Sequence, residues 1–338
     1  TLELAKEELE RLQLRKQHRQ EWAVLTAERK RRLAEESIRY YKPHRRQEEF
    51  HNDPARIRLV LGGNRSGKTQ SGCAEDVVFA LGYRPWLSPM DSNYKVAVRV
   101  PNKGLIVGES FGEQVKKVLV PKLLGDPERN IPGLLPKSAV KSTKKNQQGI
   151  ITTIMLDNGS SMQFQSYDQE VDLFESTDYD WVHMDEPCPR PIWVAIQRGL
   201  TDRMGRSWMT MTPLKEAWIH DQLVSRDTIG KHFFDMSDNI GYGLKAEAVA
   251  EFARELTPEE REARIHGRFF HLSGLVYKEY QAVHKIERVP IDSSWSVYMH
   301  IDTHPSTPHH AVWIAVRPDN SLMVGGELKN SDPANLVE

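Results

Sequence analysis

Several short segments of the chain alternate hydrophobic and polar residues, and turn-forming residues bound them. In RIRLVLGG, residues 56–63, an apolar side chain at every second position predicts a strand that ends at a pair of glycines. Comparable patterns predict further strands over residues 104–107, 150–156, 161–165, 181–184, 207–211 and 232–236. The turn sequence DNG at 157–159 predicts that two of these strands form a hairpin.

Helical patterns lie between these strands. The segment after the glycines, QSGCAEDVVFALG, predicts a helix that ends near Gly82, and residues 191–200 predict another. Residues 244–265 form a highly charged helical pattern, in which Thr257 and Glu260 make a capping box around a proline. Strands that alternate with helices predict an α/β sheet with much parallel pairing.

The two ends of the chain differ from this middle part. Residues 2–41 predict one or two charged helices, and their mixed charges favour a solvated surface over an arm that binds nucleic acid. From residue 267 the pattern changes to short strands over 297–301, 311–316 and 322–324. These strands predict a second, β-rich unit.

Composition and charge exclude few classes of protein. A length of 338 residues suggests about two domains, and a net charge of −1 neither supports nor excludes a nucleic-acid partner. The two cysteines, Cys73 and Cys188, indicate a reducing compartment, and we expect Cys73 to be a packing residue. No apolar run is long enough to span a bilayer, so we expect no membrane partner.

A lysine-rich segment carries a local excess of positive charge. Residues 132–149 look like an exposed loop and contain four lysines without an acid. Those lysines are Lys137, Lys141, Lys144 and Lys145. Contact with DNA phosphates and a simple solubilising role explain this loop about equally well.

The stretch GGNRSGKT, Gly62 to Thr69, satisfies the G-x-x-x-x-G-K-[ST] pattern of phosphate-binding loops. Gly62 and Gly67 allow a tight backbone turn, so that successive N–H groups converge on phosphate oxygens. Lys68 brings a positive charge to the phosphates, and Thr69 offers a hydroxyl to Mg²⁺. The predicted strand before the loop and helix after it are the required context, because the helix adds the positive end of its dipole.

The segment WVHMDEP predicts a strand that delivers two acids to its carboxyl end. In a phosphoryl-transfer site Asp185 suits the role of Mg²⁺ ligand, and Glu186 suits the base that orients the attacking water. This motif alone is weak, but downstream of a phosphate loop it favours a hydrolase. In TMTP, Thr210 and Thr212 follow a strand and offer hydroxyls that could sense the γ-phosphate, and Gln47 could bind an adenine edge.

A third group of candidate residues lies in the β-rich unit. In YMHIDTHP, Asp302 leaves a predicted central strand, which suits a nuclease that binds two metal ions through carboxylates. Glu327 is a weaker candidate for a second acid. His304, His309 and His310 do not have zinc-ligand spacing, so we expect them to be loop residues.

Together these segments resemble the large terminase subunit of tailed double-stranded DNA bacteriophages, over almost the whole chain. GGNRSGKT resembles the phosphate loop of that family, including Arg65 inside it, and WVHMDEP and TMTP resemble its second and coupling motifs. The Gln47 segment resembles its adenine motif, and the segment around Asp302 resembles its first catalytic nuclease strand. Residues 256–286 resemble the bridge between its two domains.

The resemblance implies an α/β fold: a P-loop NTPase of the ASCE type with a mainly parallel sheet and a helical lid or linker. A truncated ribonuclease-H-like nuclease would follow. The implied boundaries are an arm at 1–42, the ATPase at 43–240, the lid or linker at 241–270 and the nuclease from 271 to 338. The implied nucleotide-binding residues are Gln47, Gly62, Gly63, Asn64, Arg65, Ser66, Gly67, Lys68, Thr69 and Thr212.

The implied activity is ATP hydrolysis that moves double-stranded DNA into a procapsid, with metal-dependent cutting of concatemeric DNA. Lys68, Arg65 and Glu186 would serve ATP hydrolysis, and Asp302 the nuclease. Mg²⁺ would bind at Thr69 and Asp185, and Mg²⁺ or Mn²⁺ at Asp302. The implied partners are DNA, the portal and procapsid, a small terminase subunit and further copies in a ring. The implied location is the host cytoplasm during assembly, outside the mature virion.

The chain departs from the family pattern in two places. Many members have an arginine shortly before the Asp-Glu strand, and residues 170–180 contain none. The resemblance implies that this arginine enters the ATP site of a neighbouring subunit. In this chain Arg198, Arg203 and Arg206 are the candidates for that role, or Arg65 stabilises the charge within its own subunit. The nuclease also lacks most of its expected acids, so we expect poor cutting by this chain alone. A helicase-like nucleic-acid remodelling ATPase and a non-enzymatic scaffold are the alternatives.

Overall fold

The computed structural model of the protein describes residues 2–175, 178–214, 216–269, 289–302 and 309–330. The chain divides into two compact units, Thr1–Ser273 and Gly274–Glu338. Each unit has a sheet of its own, and each is described by itself below.

In the first unit the helices are α1 (Leu2–Glu35), α2 (Arg45–Asn52), α3 (Lys68–Leu81), α4 (Val120–Leu124), α5 (Asp172–Glu175), α6 (Arg190–Thr201), α7 (Ala217–Ile219), α8 (Ala246–Arg254) and α9 (Pro258–Arg264). Short 3-10 helices span Ser37–Tyr40, Lys137–Ala139 and Met236–Asn239, and π-helices span Phe111–Leu119 and His220–Val224. None of the helices in the described parts of the chain has the length and apolarity that a membrane crossing requires.

The strands of this unit are β1 (Ile57–Gly62), β2 (Lys103–Gly108), β3 (Gly125–Asp126), β4 (Ile131–Pro132), β5 (Val140–Lys145), β6 (Ile151–Leu156), β7 (Ser161–Ser166), β8 (Trp181–Asp185), β9 (Arg206–Met211) and β10 (Gly230–Phe234). Eight of them form one sheet in the order β10-β1-β9-β8-β2-β7-β6-β5. The first five pairings in this order are parallel and the last two are antiparallel.

The predicted α/β class with a mainly parallel sheet is therefore confirmed. Both faces of the central strands are buried, which is usual where helices cover a parallel sheet on both sides. Val60 packs into a core with α3 on one face, whereas its neighbours Leu59 and Leu61 pack into a core with α6 on the other. The carboxyl ends of β1, β8 and β9 lie along one edge of the sheet, where ligands bind in folds of this kind.

Three predicted elements differ from the structure. Residues 132–149, which we expected to be a loop, contain the strand Val140–Lys145, which pairs with β6 at the edge of the sheet. Its side chains are mostly exposed, so alternation does not reveal it. The strand expected at 232–236 spans Gly230–Phe234, since Asp235 already caps the following 3-10 helix. Residues 244–265 form two helices, and the predicted capping box of Thr257 and Glu260 begins the second.

A buried ionic network fixes α2 and α3 against β1. Arg58 on β1 donates to Oε1 of Glu75 over 2.6 Å, and Nδ1 of His51 lies 2.7 Å from Oε2 of the same carboxylate. All three side chains are at most 3% exposed. The Arg58 guanidinium also lies over the rings of Phe50 and Trp208. This network positions the elements on both sides of the glycine-rich loop.

The described part of the second unit is an antiparallel sheet of β11 (Ser296–Asp302), β12 (His309–Val316) and β13 (Leu322–Asn330), in that order. The expected hairpin order is confirmed. The expectation that Asp302 leaves a central strand is wrong for the described residues, because β12 is the middle strand and β11 lies at the edge. His309 and His310, expected in a loop, are both on β12, and His310 lies opposite Asp302. His304 and the segment 270–288 lie outside the described residues, as does the side chain of Glu327.

Candidate nucleotide site

The glycine-rich loop runs from the end of β1 to the start of α3, as the sequence predicts. Arg65 (φ 57°) and Gly67 (φ 90°) both have left-handed backbone conformations. Such residues within a tight loop turn successive N–H groups toward one concave surface, which suits phosphate oxygens. The Lys68 ammonium is buried beneath the loop and donates to the carbonyl oxygen of Gly63 over 2.8 Å. Burial lowers the pKa of Lys68, while Glu186 and Asp185 act to raise it.

Two other segments contact the loop, the 3-10 helix that ends at Asn239 and the end of α9. The side-chain amide of Asn239 donates to the carbonyl oxygen of Arg65 over 2.7 Å, and the N–H of Asn64 donates to the carbonyl oxygen of Arg264 over 2.5 Å. A Cβ at Gly63 would overlap the backbone of Arg264 and Ile265. Only glycine therefore permits this close approach between the loop and the end of α9.

The carboxylate of Asp185 is the meeting point of three side chains. Its Oδ1 accepts hydrogen bonds from the hydroxyls of Thr69, over 2.9 Å, and Thr210, over 2.7 Å. Its Oδ2 accepts one from the side-chain amide of Gln114. The structure brings Thr69 and Asp185 into contact, and both were predicted to bind Mg²⁺, which prefers oxygen ligands of this kind. Gln114 lies in the π-helix after β2, and π-helical turns occur frequently at functional sites.

Glu186 follows Asp185 in a left-handed conformation, with φ 75°. Its N–H donates to the carbonyl oxygen of Thr210, and its own carbonyl oxygen accepts from the Tyr167 hydroxyl. Its carboxylate accepts from the N–H of Thr212 over 3.3 Å. Burial and the neighbouring Asp185 raise the pKa of Glu186 to about 7, against the opposing effect of Lys68. A carboxyl group with a pKa near neutrality is suited to exchange protons during a reaction.

These side chains open into a cavity of about 1040 Å³. The predicted nucleotide-binding residues that line it are Gln47, Asn64, Arg65, Gly67, Lys68, Thr69 and Thr212, together with Glu186. Gly62, Gly63 and Ser66 belong to the same loop but do not line the cavity. The Ser66 hydroxyl donates to the carbonyl oxygen of Gly63 over 2.8 Å, which holds the loop together. A buried lysine and a glycine-rich loop at the start of a helix, in a cavity of this size, fit a nucleoside triphosphate.

Gln47 has a structural role in addition to its predicted contact with adenine. Its side chain completes a capping box with His44 at the start of α2 and donates to the carbonyl oxygen of Gly67 over 3.1 Å. It thereby attaches α2 to the phosphate loop. Its predicted contact with an adenine stays a prediction.

The four arginines that are candidates for stabilising charge at the ATP site lie in different environments. Arg65 is exposed at the cavity. Arg198 pairs with Glu175 over 2.7 Å, and Arg203 pairs with Asp180 over 3.3 Å, both at the surface. Arg206 is half-buried, and burial lowers its pKa. Within the first unit, Arg65 is thus the candidate that already lies at the site.

Sequence reasoning missed three side chains that contact the Asp-Glu pair directly or through Thr210: Gln114, Tyr167 and His183. The signal for His183 was present, since a histidine inside the otherwise apolar strand of WVHMDEP must find polar partners when buried. Gln114 and Tyr167 carry no such signal, because their elements reach the site only through the tertiary fold.

A strand, glycine-rich loop and helix, with β9 between β1 and the acid-bearing strand β8, define the ASCE class of P-loop NTPase folds. Comparison with solved structures narrows this class to the fold of phage large terminases. A large terminase from a thermophilic bacteriophage matches with a TM-score of 0.50 and 15% identity, over 88% of this chain and 70% of that chain. Its complex with ADP matches equally, over 87% and 70%.

The ATPase domain of a Thermus phage large terminase also matches, with a TM-score of 0.50 and 16% identity, over 69% of this chain and 96% of that domain. No protein-family model matches this chain, and neither does any curated protein. At these identities the similarity defines the fold. It agrees with the fold that the sequence motifs imply.

Proposed function

We propose that this protein is an ATP-hydrolysing DNA-packaging motor of the large terminase type. The observation that carries the proposal is that Lys68, Thr69 and Glu186 line one cavity at the carboxyl edge of the sheet, with Asp185 hydrogen-bonded to Thr69 behind it. Each of these groups corresponds to a requirement of ATP hydrolysis. Solved structures with the same fold, including one in complex with ADP, support the choice of nucleotide.

In this proposal the loop N–H groups and Lys68 bind the phosphates of ATP. Thr69 and Asp185 hold Mg²⁺, which neutralises charge on the β- and γ-phosphates when bound. The Glu186 carboxylate accepts a proton from a water whose oxygen attacks the γ-phosphorus, and ADP leaves with the bridging oxygen. Arg65, exposed beside the loop, stabilises the charge of the transferring phosphoryl group.

The further roles follow from the terminase resemblance. The motor acts on double-stranded DNA at the portal of a procapsid in the host cytoplasm, with a small terminase subunit and further copies in a ring, and it leaves before the virion matures. In the complete protein the second unit belongs to a ribonuclease-H-like nuclease, in which Asp302 binds Mg²⁺ or Mn²⁺. The three antiparallel strands and the position of Asp302 at the end of β11 support this assignment.

A packaging assay tests this proposal. Complete protein, procapsids, portal and DNA are mixed with ATP, and the DNA that becomes protected from added nuclease is measured. We expect protected DNA with the wild type and with the exposed control Lys117→Ala, and none with Lys68→Ala. Hydrolysis stimulated by DNA but without protected DNA in the wild type would instead favour the helicase-like alternative.

A further inference from the structure

A buried chain of hydrogen bonds runs from α3 across two strands to the metal-binding carboxylate. Oδ2 of Asp76 lies 3.0 Å from Nδ1 of His183, and Nε2 of His183 lies 2.8 Å from the Thr210 hydroxyl. That hydroxyl in turn donates to Oδ1 of Asp185 over 2.7 Å. All four side chains are fully buried.

The direction of these hydrogen bonds follows from counting protons. The Thr210 hydroxyl has a single proton, and Asp185 as a carboxylate can only accept, so that proton lies on the bond to Asp185. Nε2 of His183 must therefore donate to the Thr210 oxygen. The imidazole thus fixes the rotation of the hydroxyl and directs its proton toward Asp185.

The site around His183 holds the imidazole in one orientation. The ring stacks on Trp208, with centroids 5.9 Å apart and planes 27° apart, and Asp76 binds its other nitrogen. A Cβ at Gly72 would overlap the imidazole, so a glycine on α3 leaves the space that the ring fills. Oδ1 of Asp76 has no hydrogen-bond partner among the described residues, so its carboxylate is committed to His183 alone.

We propose that Asp76 and His183 are positioning residues, which act through Thr210 to hold the Asp185 carboxylate in the orientation that binds the metal ion. The proposal rests on the ATPase assignment above. Residues that orient a metal ligand typically change metal affinity or activity by about 10- to 100-fold when removed.

The donor atoms of Cys73, Asp76 and His183 also lie within 4.8 Å of one another, which raises the alternative of a structural metal ion. Both imidazole nitrogens are already engaged, however, by Asp76 and Thr210. A metal ion at this place would have to replace one of those hydrogen bonds, and we therefore prefer the positioning role.

The test is a double-mutant cycle with Thr210→Val and His183→Leu. Mn²⁺ affinity is measured by electron paramagnetic resonance in the presence of ADP, and the Mg²⁺ concentration for half-maximal ATP hydrolysis is measured in parallel. We expect each single variant to lower the Mn²⁺ affinity and to raise the required Mg²⁺ concentration by about 10-fold. The double variant should be no worse than either single variant, because each substitution interrupts the same chain of hydrogen bonds. Thr210→Ser and His183→Gln, which keep a hydroxyl and an N–H donor, should retain most of the affinity.

Cys73→Ser is the matched control on the same helix, with wild-type metal dependence expected. Multiplying effects in the double variant, or wild-type Mn²⁺ affinity in a folded His183→Leu protein, would overturn the proposal. So would a tightly bound metal ion that Cys73→Ser releases. Failure of the ATPase assignment is recognised separately, because Lys68→Ala would then release phosphate as fast as the wild type.

Discussion

The hydroxyl of Thr69 donates to Oδ1 of Asp185 over 2.9 Å, although 116 residues separate the two in sequence. Thr69 stands at the start of α3 and Asp185 at the end of β8, so the pair exists only because the sheet places these ends side by side. A hydroxyl and a carboxylate oxygen are the kind of ligand that a hard divalent cation prefers.

Removal of the Thr69 hydroxyl should therefore weaken the apparent affinity for Mg²⁺ selectively. We expect Thr69→Val to raise the Mg²⁺ concentration for half-maximal ATP hydrolysis by about 10-fold or more, and Thr69→Ser to stay near the wild type. A titration of hydrolysis against Mg²⁺ at saturating ATP measures this. Equal curves for valine and serine would remove Thr69 from the metal site.

The pKa of Glu186, raised to about 7 by burial and by Asp185, predicts a pH profile. A base acts in its ionised form, so kcat/KM for ATP should rise as the pH increases through about 7 and level off above it. Glu186→Gln should abolish phosphate release but leave nucleotide binding intact over the same pH range. A glutamine variant that keeps the wild-type pH profile would show that another group is the base.

Arg65 lies at the cavity, whereas Arg203 forms a surface ion pair with Asp180. If Arg65 stabilises the transition state, Arg65→Ala should lower the hydrolysis rate by about 10³-fold with little change in nucleotide affinity. Arg203→Ala serves as the comparison and should lower the hydrolysis rate only slightly. The opposite result, measured in the assembled ring, would assign the charge to Arg203 of a neighbouring subunit.

The buried Arg58–Glu75 pair predicts a stability effect independent of catalysis. Arg58→Met leaves the Glu75 carboxylate buried without its permanently charged partner, because burial lowers the pKa of His51, the other group that contacts it. We expect a loss of about 3–5 kcal/mol in the free energy of unfolding. The double variant Arg58→Met/Glu75→Leu should recover much of that loss, because no charge remains buried. Urea unfolding at neutral pH measures both, and equal destabilisation of the two would contradict the explanation.

The same pair makes the stability of the folded state depend on pH. Burial alone raises the pKa of Glu75, but Arg58 and His51 outweigh it and lower the pKa from its usual 4.5 to about 2. The folded state therefore binds fewer protons than the unfolded chain between these values. The stabilisation is fully present above pH 4.5 and is lost as the pH falls toward 2. Urea unfolding at successively lower pH should show this loss in the wild type and a smaller one in the double variant.

The sequence was sufficient for the nucleotide loop and the Asp-Glu strand, because each is a local pattern with a defined physical function. The mainly apolar strand β8 leads into two acids, and Gly67 occupies a loop position where φ is positive. The left-handed conformation of Arg65 was not predictable in this way, since arginine has no preference for it. It depends on the Asn239 amide that binds the Arg65 carbonyl from a distant 3-10 helix.

Exposed strands and contacts between residues far apart in sequence were harder to predict. Strand β5 carries lysines rather than alternating apolar residues, so its pairing with β6 leaves no pattern in the sequence. Gln114 contacts Asp185 because a π-helix follows β2, and neither feature follows from local propensity. Asp302 was placed correctly at the end of a strand, but the position of that strand in its sheet depends on pairing that a single sequence does not encode locally.

The proposed motor requires that this cavity hydrolyse ATP. The most direct measurement is phosphate release from ATP by the purified protein and by Lys68→Ala, with Lys117→Ala as the exposed control and circular dichroism to confirm folding. We expect steady release by the wild type and the control, and none above background by Lys68→Ala. Unchanged phosphate release in a folded Lys68→Ala protein would contradict the assignment of the site.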